Sequence, residues 1–560
     1  MTGTALRNRS TRSETTRHAI SITAITIFLA LAARTWTGLD TPDSSFYTSL
    51  AIFGDQITDR APFDSYYWTR LGYIAPLHAL YSIVSPDIGF FLYRLVLLAV
   101  TVTGIYVILL KITKTNFTTR IFLTTAAASS TVILSYLGNP YLTGFILAAT
   151  TAGIALALHS TLTTTIAGGM VVGWSAQVNP AGAILVGTLW LAVSLFTNTK
   201  FSHLLQAGIA AAVTFALFIG IGTQIFPGLS WFDTFNSTRE MNLSDFASSD
   251  LVWLRDISLL VPFSVLLITI TAWWRDKSSA PYRLALVLSS VSVTFMLVFS
   301  PLMGGIALEA PMYQSMLWPP AMIAFALVFA ERISLDSPRT KAMALAGIAV
   351  ILATGFTQPT LAFAIGIPIA IGAVALSLMG INKSVSSVIV FVVVASTFQL
   401  LQNSRTDLGL YYLSPYAWAF APNPIEEKIT AAIDVQQWLL ENTTNQDQIL
   451  TWVDGSWTQG DRELYAVAAM QLWGENRFTL EPTVDDYARA ILERTNPSVI
   501  ALYGRSQRAI DTMLASLNAN NTPTSAPQCL EFDWPQASNS NFPADSGIVC
   551  LTRLTSQQAR

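Results

Sequence analysis

The chain is 560 residues long, 52% hydrophobic and only 12% charged, with a net charge of −3 and a mean hydropathy of +0.48. Soluble domains carry about 25% charged residues, so half that share excludes an ordinary soluble protein and points to a polytopic α-helical membrane protein. The net charge says nothing about partners and no basic patch suggests nucleic acid, while two cysteines with four scattered histidines leave no zinc motif.

The tail 1–18 carries Arg7, Arg9, Arg12 and Arg17. Positive residues stay inside, so the N-terminus is expected in the cytoplasm. The apolar run Ala19 to Ala33 also has the basic, apolar, small-residue order of a signal peptide. Many spans follow it, so it is read as a retained first helix. A first external loop, 37–85, comes next, with Asp40 and Asp43 where the helix surfaces and then Asp55, Asp59, Asp64, Tyr66, Tyr67, Trp68 and Arg70. Carboxylates at the mouth of a membrane bundle are costly beside lipid and are functional candidates by default. The segment Tyr66 to Val84 is expected to lie on the membrane surface as an amphipathic helix.

Further spans are predicted at Gly89 to Leu110, Ile121 to Leu137 and Tyr141 to His159. Two short helices are predicted within Ile166 to Phe196, breaking at Gln177 to Pro180. Others follow at Leu204 to Phe226, Ile257 to Trp274, Leu284 to Phe299, Pro320 to Phe329, Ala342 to Phe356, Leu361 to Leu378 and Val385 to Leu401. The stretches Ile121 to Thr199 and Ala342 to Asn382 contain no Asp, Glu, Lys or Arg, as stacked membrane helices require. The count is about 13 transmembrane helices over 19–401. Lys111, Lys114, Arg120, Lys200, Arg275, Lys277, Arg283, Arg332, Arg339, Lys341 and Lys383 all fall on the expected cytoplasmic turns. An odd number of spans places the C-terminus outside.

Residues 402–560 have the composition of a soluble domain. Helical periodicity in Ile425 to Asn442, Arg462 to Trp473 and Arg508 to Leu517 alternates with strand-like QILTWVD, PSVIALYG, CLEFD and GIVCLTRL. That pattern predicts an extracytoplasmic α/β domain. Cys529 and Cys550 are expected to bridge there. Trp452, Trp457 and Trp473 are either a sugar-facing surface or, more in keeping with how deeply Trp is usually buried, core.

TPDSSFY, YWTRLGYIAPLHALYSIVSP and GMVVGWSAQVNPAGAIL, set in this topology, resemble elements of the GT-C superfamily of membrane glycosyltransferases, in particular its protein O-mannosyltransferase-like branch. The resemblance covers roughly the first 400 residues through short motifs. It implies inverting transfer of a sugar from a polyprenyl-phosphate donor to an extracytoplasmic glycan, lipid or protein acceptor, in a multi-pass cell-membrane enzyme. The second acidic position of the family's Asp-Glu pair is Ser44 here, which places weight on Asp43 alone, with Asp40 three residues earlier.

Asp43 is the implied general base, a role that needs one carboxylate within hydrogen-bond reach of the acceptor hydroxyl. Asp is also a favoured helix N-cap, and both roles are compatible. Asp40 is a candidate acceptor or loop contact. Arg70 suits a donor phosphate through its bidentate fork, with an ion pair to Asp64 as the structural alternative. Arg94, near the outer end of the second span, either binds phosphate or snorkels to the interface. Glu309 and Tyr313, in an external loop with Gln314 and Trp318, are candidate sugar or donor contacts, or interface anchors. Asn179 at the helix break either lines the cavity or satisfies freed backbone groups. His78 reads as a satisfied histidine. A lipid-monophosphate donor has little charge to neutralise, so neither metal nor cofactor is expected. A transporter or flippase of lipid-linked glycans is the rival reading, favoured by the broken helices but not by the charge-free spans. A polysaccharide polymerase would share the chemistry.

Overall fold

The computed structural model describes residues 2–32, 47, 50–52, 66–138, 141–226, 228–236, 260–303, 314–355, 383–403, 434–435, 437–444, 447, 449–453, 497–504, 506–519, 524–534 and 545–554. The chain divides into two units: Met1–Thr35, Phe90–Phe218 and Glu240–Ala421 form the first, and Trp36–Gly89, Ile219–Arg239 and Pro422–Arg560 the second.

The first unit is helical. In chain order its described helices are α1 (Thr2–Ala32), the body of a helix running Pro86–Ile112, then Phe117–Ala128, Thr131–Gly138, Leu142–Ala157, Leu162–Val178 and Pro180–Phe196. They continue with most of Phe201–Ile225, then Leu260–Arg275, Ala280–Met303, Trp318–Ala330, Pro338–Gly355 and Lys383–Asn403. Among the described residues four helices are long and apolar enough to cross a membrane, at Glu14–Ala32, Ile88–Ile112, Phe201–Ile225 and Ala280–Val298. Several others are apolar but only 10–17 residues long. At 1.5 Å per residue a 16-residue helix covers about 24 Å, short of the ~30 Å hydrocarbon core. The span expected at Leu361 to Leu378 lies outside the described residues.

Ile121 to Leu137, expected as one span, is two helices bent by 66°. The cause is local. Thr125 and Ser129 turn their hydroxyls back onto the Ile121 and Thr125 carbonyls (2.8 and 2.6 Å), a pattern that bends helices. The Ser129 carbonyl freed at the bend accepts from the buried Gln399 side chain (3.2 Å), so the break leaves no orphaned acceptor there.

The expected break at QVNP is present. Asn179 ends Leu162–Val178 and caps Pro180–Phe196, its side-chain oxygen accepting from the Gly182 N–H at 3.1 Å. Pro180 fits the first helical position, where a missing N–H costs nothing. Leu162–Val178 packs closely on Phe201–Ile225. Cβ atoms at Gly169 and Gly173 would run into the backbone carbonyls of Ala207 and Ala211, the small-residue contact by which membrane helices approach each other.

The second unit contains two described clusters. In the first, a short 3-10 turn (Tyr66–Thr69) leads into α2 (Leu71–Tyr81). This helix is not the surface-lying amphipathic element expected: Leu71, Gly72, Tyr73, Ile74, Ala75 and Leu77 are all buried. Its sequence is apolar nearly all round, and such a helix must be enclosed rather than laid on one face. Trp68 meets Phe226 edge-on at 5.2 Å, and Tyr47 meets Tyr67 and Tyr73 at 5.2 and 5.7 Å. The Trp231 indole N–H donates to the Thr69 carbonyl (3.3 Å).

The second cluster is a four-stranded sheet, β1 (Ile449–Val453), β2 (Val499–Gly504), β3 (Gln528–Trp534) and β4 (Asp545–Arg553), in the order β1-β2-β4-β3. β1 and β2 run parallel and the other pairs antiparallel. A helix, Gln507–Ala519, lays Ile510, Met513 and Leu517 on Leu450, Trp452, Ile500, Leu502, Ile548 and Cys550. The four strands and this helix follow the expected pattern, and the helix expected in Ile425 to Asn442 is described at 434–435 and 437–442. The expected helix Arg462 to Trp473 lies outside the described residues, as do Trp457 and Trp473. Trp452 is core, 2% exposed, and so forms no sugar-facing surface.

Cys529 and Cys550 stand opposite each other on β3 and β4 and are bridged, with Cα atoms 4.0 Å apart. Closing a loop of 21 residues is worth about 3 kcal/mol through the unfolded chain. A Cys529→Ser/Cys550→Ser variant should therefore unfold at a clearly lower temperature in non-reducing buffer. An unchanged midpoint would show that the bridge adds nothing.

Asp447 ties the sheet's ends together. Its carboxylate takes a bidentate pair of bonds from Arg553 (2.7 and 3.2 Å), the Thr444 N–H (2.7 Å) and hydroxyl (3.0 Å), and the Ser498 hydroxyl (3.3 Å). Burial pushes the Asp447 carboxyl up, but the Arg553 and Thr444 hydrogen bonds and the Arg553 charge outweigh it and bring it down to about 2. A depressed carboxylate stabilises the fold above its unfolded value near 4, and that contribution is lost as pH falls through about 2. The wild-type unfolding temperature should fall across this window. In Asp447→Asn it should start lower and fall less; parallel curves would show that the cluster contributes nothing.

Candidate functional site

Of the seven residues singled out by sequence, Arg70, Arg94 and Asn179 are described. Asp40, Asp43, Glu309 and Tyr313 lie outside the described residues, as do Asp55, Asp59 and Asp64.

Arg70 is the N-cap of α2. Its N–H donates to the Tyr67 carbonyl (3.1 Å), and its own carbonyl accepts from Tyr73 (2.9 Å) and Ile74 (3.1 Å). The backbone under the guanidinium is thus held on both sides, and the side chain is half-buried. The same cluster anchors Tyr47, a short way along the chain from Asp43. Tyr47 is fully buried, and its ring touches that of Tyr67, the residue whose carbonyl binds Arg70. His78 is engaged too. Its Nδ1 lies 2.9 Å from the Ala51 carbonyl, which can only accept, so this nitrogen carries the proton. The ring meets Phe226 edge-on at 5.8 Å. This is a satisfied histidine.

Arg94 is 6% exposed, inside the helix Pro86–Ile112. An ionisable side chain within an apolar helix is a functional candidate by default. Asn179 is 4% exposed, and its carbonyl oxygen is committed to the helix cap described above. Two residues earlier, Gln177 is fully buried. Its amide donates to the Phe215 carbonyl at 3.2 Å, while its Oε1 has no partner among the described residues. Sequence reading placed the weight of this break on Asn179, and a Gln inside a charge-free stretch was the available signal for the second polar group. No group of His, Cys, Asp and Glu among the described residues could hold a metal ion.

No protein-family model matches the chain, and no curated protein matches it. Solved structures similar to it include the following two. ArnT from Cupriavidus metallidurans bound to undecaprenyl phosphate is 12% identical, with 96% of this chain and 98% of that one covered, at a TM-score of 0.49. The Archaeoglobus fulgidus oligosaccharyltransferase in the apo form is 11% identical, with 94% and 75% covered, at a TM-score of 0.41. Likeness this distant bears on neither activity nor ligand.

Proposed function

We propose that this chain is a GT-C-type integral-membrane glycosyltransferase. It takes a sugar from a polyprenyl-phosphate donor to an extracytoplasmic acceptor, with inversion at the anomeric carbon. About 13 spans, N-in and C-out, carry the site on the outer side together with the C-terminal domain. Asp43 is the general base: it takes the proton from the acceptor hydroxyl as that oxygen attacks the anomeric carbon, and the lipid phosphate leaves with the bonding pair. Arg70 and Arg94 bind the donor phosphate. Asp40, Glu309 and Tyr313 contact sugar or acceptor, and Asn179 holds the helix break that shapes the wall.

The observation that supports this reading most is the buried aromatic cluster joining Tyr47, Tyr67, Tyr73 and the Arg70 backbone. Asp43 is four residues ahead of Tyr47, a stretch that reaches at most about 14 Å. A rigid cluster that holds the Arg70 backbone thus lies four residues along the chain from the proposed base, which suits preorganised catalysis. A flippase needs no general base. Purified protein should retain a polyprenyl-phosphate sugar through detergent exchange, seen by native mass spectrometry; failure to retain any such lipid counts against the reading.

A further inference from the structure

At the corner where α1 meets the end of Pro86–Ile112 and the start of Phe117–Ala128, two guanidinium groups lie over aromatic faces. The Arg17 guanidinium sits 3.8 Å over the Phe117 ring, and Arg120 lies 5.7 Å from the Tyr106 ring centre. His18 bonds the Tyr106 hydroxyl through Nδ1 at 2.6 Å, which pins this part of α1 to the corner. Arg120 is 8% exposed. One of its terminal nitrogens donates to the Thr115 carbonyl (2.9 Å), and its buried Nε has no acceptor among the described residues.

No described carboxylate pairs with Arg120. Asp336, the acid nearest this corner by its bonds, accepts from Asn116 (2.8 Å) and the Ser334 hydroxyl instead. Ring faces attract a cation but carry no net charge, and a buried guanidinium without an anion is strongly unfavourable. Arg120 also stands in the first turns of Phe117–Ala128, whose N-terminal end is itself positive, and Lys114 precedes the carbonyl that Arg120 binds. The corner is built for an anion, and apolar surface runs away from it: Ile20, one turn after Arg17, is 63% exposed, Ile27 50% and Leu110 39%.

We propose that this corner binds the phosphate of an anionic phospholipid, with Arg120 as the buried anchor, Arg17 and Lys114 at the rim, and acyl chains along Ile20 and Ile27. Phosphate oxygens match the guanidinium fork, and the adjoining apolar helix faces favour a lipid over free phosphate. The inference rests on membrane embedding and is independent of the transferase reading.

The test uses the full chain in nanodiscs of phosphatidylcholine with increasing phosphatidylglycerol, reading the thermal unfolding midpoint. The wild-type midpoint should rise with phosphatidylglycerol content. Arg120→Gln and Arg17→Gln should each need roughly fivefold more of that lipid for half the effect, the share of one basic group near a membrane surface. Lys277→Gln, which removes an exposed cation from another turn, should behave as wild type. Arg17 is exposed, so its variant remains informative if Arg120→Gln fails to fold. No response in the wild type, or equal shifts in all three variants, would overturn the proposal. So would inorganic phosphate reproducing the rise in pure phosphatidylcholine, which would make the corner a free-phosphate site.

Discussion

Asp43→Asn is expected to abolish sugar transfer while donor binding stays close to wild type. A general base acts on the chemical step and contributes typically ~10² to 10⁴ in rate. Asn keeps the size and can still cap a helix, so the substitution separates a catalytic role from a capping one. Arg70→Ala should behave oppositely. A phosphate ligand acts in the ground state as well as the transition state, so its loss should raise the donor KM more than it lowers kcat. The Arg70 backbone is held by Tyr67, Tyr73 and Ile74, which lets the side chain be cut back without unwinding α2. Transfer from a radiolabelled polyprenyl-phosphate sugar in membranes, normalised to folded protein, separates the two effects. Near-normal turnover in Asp43→Asn would shift the base to Asp40, and loss of folded protein would make Asp43 structural.

Gly173→Val should cost the fold itself. A side chain there meets the Ala211 carbonyl and the backbone beside it, which cannot swing aside as a side-chain tip can. The two helices must separate, and the loss falls at or above the upper end of the ~1–3 kcal/mol usual for overpacking. Gly208, on the partner helix, has nothing within 4 Å of an added Cβ. Gly208→Ala should be neutral or gain up to about 1 kcal/mol by replacing glycine in a helix. Folded yield and unfolding temperature of the two variants should diverge sharply. Similar behaviour would mean that the close approach at Gly173 does not hold the bundle.

Much of the architecture was legible because its signals are local. Hydrophobic runs located many of the described helices, and QVNP located a break because Asn caps and Pro starts helices wherever they stand. The strands around Val499 and Ile548 were legible from short apolar runs between turn residues. What escaped depended on contacts distant in sequence. The bend at Ser129 needs Gln399, 270 positions away, to satisfy the freed carbonyl. The enclosure of α2 needs Phe226 and Trp231, and nothing within Tyr66 to Val84 announces them. Arg120 read as one more cytoplasmic charge, since burial under Tyr106 is invisible to charge counting. Arg94 was recognised as exceptional for lying inside an apolar run.

On the proposed function, this chain makes a glycosidic bond rather than moving a lipid. Purified wild-type protein in liposomes, given a polyprenyl-phosphate sugar and an acceptor-containing envelope extract, should release polyprenyl phosphate in step with a newly glycosylated acceptor. Mass spectrometry of both products reads this directly, and Asp43→Asn should form neither. Relocation of intact donor across the bilayer, with no release of polyprenyl phosphate, would instead make the chain a flippase.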